Sequence, residues 1–109
     1  HLSSATFLNN YMRVSKNRDQ LIHWAIQQPN EFFVFNARYL AQNDKWVTFS
    51  QLYHEDKLIA THFNLPQHFF KNHVFQKIGE SITFKAKASF YIQKGTKRGC
   101  LKEIKLEER

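Results

Sequence analysis

From Ile82 to Gln93 the side chains alternate without a break. Ile82, Phe84, Ala86, Ala88, Phe90 and Ile92 share one face, and Thr83, Lys85, Lys87, Ser89, Tyr91 and Gln93 share the other. A period of two held this long describes a strand buried on one side and wetted on the other. Helical spacing would scatter the lysines around the axis, and Thr83, Phe84, Phe90, Tyr91 and Ile92 all favour a pleated backbone. The wet face is unusual, because two lysines and a tyrosine follow one another with no acid among them. The stretch then enters Lys94-Gly95-Thr96-Lys97-Arg98-Gly99, read as a basic turn bracketed by glycines. One element therefore supplies both a core face and a cationic, partly aromatic outer face.

The rest of the chain reads as what wraps that strand. Its 109 residues suffice for one domain with a modest core, and eleven phenylalanines supply the material for it. Residues 1–11 show no period and are expected to be a flexible segment, leaving 12–109 as a single domain. Ser15 is a candidate N-cap for a helix over about 15–28, with Leu21, Ile22, Trp24, Ala25 and Ile26 on one broad side and Pro29 ending it. Strands are expected at Glu31–Leu40 (Phe33, Phe35, Ala37 and Tyr39 on one face), Lys45–Leu52 and Leu58–Phe63. The turns between them lie at Gln42–Lys45 and Tyr53–Lys57, where Asn and Asp bond locally and tolerate left-handed backbone. A short helix is expected from Leu65-Pro66 to Lys71, with Phe69 and Phe70 closing the core from below. A fifth strand is expected at Cys100–Leu106.

The chain is thus mainly β with an N-terminal helix: three strands, a short helix between strands 3 and 4, then two strands. That is the element order of an OB-like, five-stranded Greek-key barrel. Gly79-Glu80, the series Ile82, Phe84, Ala86, then Tyr91 and the basic glycine-containing loop resemble the fourth strand and following loop of oligonucleotide-binding OB-folds. The likeness spans about residues 31–107. Small OB-fold proteins that bind single-stranded DNA, including those carried by mobile elements, are what the architecture is similar to. The resemblance implies a closed or nearly closed barrel and an oligonucleotide ligand.

Charge agrees with such a partner. The formal net charge is +7, and an excess of this kind favours polyanions without saying anything about fold. A single cysteine, Cys100, excludes an internal disulfide and a multi-cysteine zinc site. The histidines at 54, 62, 68 and 73 form no metal-binding spacing, and Glu55-Asp56 reads as a solvated hairpin tip beside Lys57. No phosphate loop, nucleophile elbow or serine–histidine motif is present. Neither catalysis nor a cofactor or metal is expected. No apolar run approaches the length of a membrane span and no signal-peptide pattern opens the sequence, so a cytoplasmic protein is expected.

Single-strand binding needs cations that track phosphates and flat rings on which bases stack. The first three strands and their turns offer Arg38, Lys45, Trp46, Tyr53 and His62. The fourth strand and its turn offer Lys85, Lys87, Tyr91, Lys94, Lys97 and Arg98. Each has an ordinary alternative role: Trp46 as core edge, the lysines as solvation and edge protection. The convergence of Lys85, Lys87 and Tyr91 on one face favours the binding role. Single-stranded DNA or RNA is the expected partner, DNA slightly ahead, with little sequence preference. The alternative is a protein-interaction module meeting an acidic partner through the same barrel, with Val34, Leu40 and Leu58 as its apolar patch.

Overall fold

The computed structural model describes residues 19–107; the proposed flexible segment and the predicted start of the helix lie outside them. Helix α1 (residues 19–27) closes its last turn with Gln28 N donating to Trp24 O at 2.7 Å, just ahead of Pro29. Five strands follow: β1 (Phe32–Gln42), β2 (Trp46–His54), β3 (Lys57–Pro66), β4 (Ser81–Gln93) and β5 (Thr96–Leu106). They form one antiparallel sheet in the order β3-β2-β1-β4-β5. The sheet curls into a half-barrel, so β3 and β5 are its two ends and run in the same direction.

The concave side holds the core. Phe35, Phe49, Phe63, Phe70 and Phe84 are fully buried there, together with Leu21 from the helix and Leu52, Ile59 and Leu65 from the sheet. Fully burying each such ring contributes about 1.5–3 kcal/mol relative to leaving it exposed. No polar or charged residue is buried among the described residues. The helix docks through Leu21, Trp24 and Ala25 of its predicted side, while Ile26, expected on the same side, is exposed. Leu21 enters the core and Trp24 stacks on Phe33 with ring centroids 4.5 Å apart and planes 15° apart. His54 meets the edge of Trp24 at 5.0 Å, and its Nδ1–H donates to Val34 O at 2.9 Å.

Turn chemistry sets the registers. Asn43 Oδ1 accepts from the backbone N–H groups of Lys45 and Trp46, both at 2.8 Å, which fixes the β1–β2 turn. The β2–β3 and β4–β5 hairpins are tighter than their sequences suggest. Each turns on two residues with positive φ: Glu55 (49°) and Asp56 (66°), and Lys94 (51°) and Gly95 (77°). Paired positive φ is the backbone of primed hairpin turns, whose twist matches that of the strands. Strand β5 therefore starts at Thr96 and not at Cys100, and most of the predicted basic turn is ladder.

Three further expectations are corrected. The barrel is not closed, because no β3–β5 ladder forms. The predicted helix at Leu65–Lys71 is a 3-10 turn over Gln67–Phe70; Leu65 and Pro66 still belong to β3, where Leu65 is tied into the ladder with Val47. Ile92, placed on the core face by alternation, is 66% exposed, since β4 outruns the core and its last residues form a projecting arm with β5.

Residues 71–80 cross back to β4 as a strap pinned onto β1. Phe75 stacks on Tyr39 at 4.2 Å, and Gly79 N donates to Tyr39 O at 2.7 Å. Glu80 clasps the strap, accepting from Gln76 N (2.7 Å) and meeting His73 Nε2 (3.0 Å). The Gln76 bond, and after it His73, holds the Glu80 carboxyl below its ordinary range.

Candidate functional site

Where a curled sheet fails to close, its two ends leave a cleft. Here the upper half of β3 faces the first half of β5 across a space of about 600 Å³. The core residues Phe63, Leu65 and Leu101 reach it from within. One wall carries Trp46, His62, Asn64 and Pro66; the other carries Tyr91 and Cys100. Trp46 is 45% exposed and Tyr91 47% exposed, so each presents a ring to solvent while resting on the sheet. Thr48 Oγ1 donates to Asn64 Oδ1 at 2.7 Å and fixes the amide on the β3 wall. His62 has φ 51°, a left-handed backbone within a strand. Such a conformation in a non-glycine residue costs of order 1–3 kcal/mol and collects at functional positions.

Three of the predicted residues, Trp46, His62 and Tyr91, thus meet in one cleft. Lys45 is exposed beside Trp46, and Arg98 stands directly across the ladder from Tyr91. The arm is less uniform than its composition suggests. Lys94 is at the exposed turn, but Lys97 pairs with Ile92 on the opposite face from Arg98 and lies over the Phe90 ring at 5.3 Å. Arg38 and Tyr53 are brought together elsewhere, in a depression of about 490 Å³ on the outer face of β1 and β2. Glu55 and Asp56 line the same depression, which makes it a poor seat for phosphate.

Lys85 and Lys87 point outward as the alternation requires, though in different states. Lys85 is exposed. Lys87 is 16% exposed, ion-paired to Glu103 at 2.9 Å and seated over the Phe32 ring at 5.0 Å. Sequence reasoning missed Lys102 and Lys105, which face Lys87 and Lys85 across the β4–β5 ladder. Simple alternation hides them because a bulge interrupts β5 at Glu103 (φ 52°). That bulge lets Leu101 and Ile104, three residues apart, both enter the core while Lys102 and Lys105 both stay outside.

Of the residues considered for an apolar docking patch, Val34 is exposed, whereas Leu40 and Leu58 are half-buried. Among the described residues no three His, Cys, Asp or Glu side chains are grouped to hold a metal ion. None of the described helices is long and apolar enough to cross a membrane. Against protein-family models, curated proteins and solved structures, the chain finds no match in any of the three.

Proposed function

We propose that this chain binds single-stranded nucleic acid, largely without regard to sequence, in the cleft between β3 and β5. The fold reading that goes with it is an oligonucleotide-binding barrel left open along one seam. The observation that carries the proposal is the pair of half-exposed rings, Trp46 and Tyr91, on facing walls of one cleft, with Arg98 directly opposite Tyr91. Bases of a single strand can stack on such rings at roughly 1–3 kcal/mol per contact, while neighbouring cations hold the phosphates. A duplex covers its base faces and would gain the phosphate contribution alone.

Fluorescence anisotropy with matched single- and double-stranded oligonucleotides, at several salt concentrations, tests this. Single strands are expected to bind more tightly than duplex, with a log–log salt slope of about −0.7 per neutralised phosphate. Equal affinity for both would reduce the site to a merely basic surface.

A further inference from the structure

We infer that the outer face of the β4–β5 ribbon is a phosphate track leading from the cleft to a quartet of lysines, Lys85, Lys87, Lys102 and Lys105. It would be occupied by the sugar-phosphate backbone of the same strand whose bases enter the cleft. The inference rests on the proposed single-strand binding and extends it to a second set of contacts.

The ladder carries the argument. Lys85 is paired with Lys105, and Lys87 with Lys102, so two like-charge pairs sit next to each other on one face. Like charges directly opposite each other destabilise a sheet, and opposite-charge or Thr pairs would serve folding better. Edge protection explains lysines on β5, the end strand, but not those on β4, which has a strand on either side. Folding accounts for Lys87 through Glu103 and the Phe32 ring, but leaves Lys85, directly opposite Lys105, without a reason. An anion laid across the four ammonium groups supplies one.

The quartet is also held in place. Phe32 of β1 lies beneath two of its members, with Lys87 Nζ 5.0 Å and Lys105 Nζ 4.6 Å from the ring centroid. A cation over an aromatic face is attracted to it, so both ammonium groups are positioned before any ligand arrives. Glu103 reaches the group from the bulge and takes Lys87. The Lys87 hydrogen bond keeps its carboxyl below the ordinary range, with Lys102 and Lys105 adding to the effect. Glu103 thus stands where a phosphate oxygen would, as a weak internal competitor.

Continuity with the cleft follows from the same register. Outward pairs run in sequence from Tyr91 with Arg98, through Ser89 with Cys100, to Lys87 with Lys102 and Lys85 with Lys105. Tyr91 and Cys100 also line the cleft. From Tyr91 to Lys85 the ribbon extends six residues, about 20 Å at ~3.3 Å per residue. A strand long enough to leave the cleft in this direction meets no carboxylate among the described residues of that row before Glu103.

The test is anisotropy with fluorescein-labelled oligothymidylates of increasing length, on the full chain and on a Lys102→Gln/Lys105→Gln variant. Both substitutions are at exposed positions and relieve like-charge pairs, and a thermal melt at or above that of the parent confirms an intact fold. The shortest oligomers that fill the cleft are expected to bind parent and variant within twofold. Longer ones should gain affinity on the parent only, losing about tenfold on the variant, with the salt slope flatter by about 1.4 for two lost phosphate contacts. Glu103→Gln should act in the opposite sense, strengthening long oligomers and leaving short ones unchanged. If parent and variant show the same length dependence, the track is overturned and the cleft stands. If the parent binds no single strand at any length, the cleft reading fails and takes the track with it.

Discussion

The two faces of the β4–β5 ribbon share a backbone and differ in almost everything else. Its inner face, from Ile82 to Ala88 with Leu101 and Ile104 beside it, is wholly apolar and buried. Its outer face, over the same residues, carries four lysines in two like-charge pairs. The difference teaches that one register serves two ends. Slipping it by a single residue would bury the lysines and expose Phe84, so the core fixes the position of every outer cation. The inner face bears on stability and the outer face on binding, and substitutions on the two should not trade roles.

The largest effect belongs to the inner face. Phe84 touches the rings of Phe35 (5.9 Å), Phe70 (6.2 Å) and Phe49 (6.4 Å) from the centre of the core. Phe84→Ala should cost about 4 kcal/mol in urea denaturation, while the remaining folded protein binds oligonucleotides with unchanged affinity. A variant that keeps its stability and loses binding would dissolve the distinction between the faces.

Tyr91→Ala is the outer-face counterpart. It should weaken single-strand binding by about 1–3 kcal/mol and leave the salt slope almost unchanged, because a ring and not a charge is removed. Stability should move by less than about 0.5 kcal/mol, as expected for a surface position. A larger loss of stability would mean that the ring belongs to the fold.

Acid sharpens the contrast with a smaller effect. Glu80 on the strap and Glu103 on the ribbon both have carboxyl groups held below the ordinary range, by Gln76 N–H with His73 and by Lys87 respectively. A depressed carboxylate contributes stability that is present above its unfolded pKa and lost as pH falls through the folded one. Below the ordinary 4.5, both contributions should therefore fade. The readouts diverge: the hydrogen-exchange protection of the Gln76 amide, relative to the intrinsic rate at each pH, should fall as the strap loosens, whereas single-strand affinity should rise as Glu103 releases Lys87. Falling affinity over the same range would count against Glu103 as a competitor.

The strands were legible because each carries its own period. Phe33, Phe35, Ala37 and Tyr39 on β1, and Ile82 to Ala88 on β4, announce their inward faces residue by residue, and Asn43 marks its turn through its side chain. Leu21, Trp24 and Ala25 likewise mark the docking side of α1. What the sequence hid depends on partners distant in the chain or on backbone that side chains do not encode. Alternation assigns Ile92 a face but cannot say that the core ends before it. Closure needs a β3–β5 ladder, which no local pattern specifies. Glu55, Asp56, Lys94 and Glu103 adopt left-handed backbone although none is glycine, so the tightness of two turns and the whole of the bulge escaped notice, and with the bulge Lys102 and Lys105. Of the candidate site, the residue types were legible in Trp46, His62 and Tyr91. Their meeting in one cleft was not, because it depends on how far the sheet curls.

Trp46 offers the most direct test of the cleft. The chain has two tryptophans, and Trp24 is stacked on Phe33, so a Trp24→Phe background leaves Trp46 as the reporter. Titrating this variant with an unlabelled single-stranded oligonucleotide should quench Trp46 emission to saturation as bases stack on the ring. The midpoint should coincide with that of anisotropy on the same variant, and matched duplex should produce little quenching. Saturating anisotropy with Trp46 emission unchanged would place the nucleic acid elsewhere on the molecule and contradict the account.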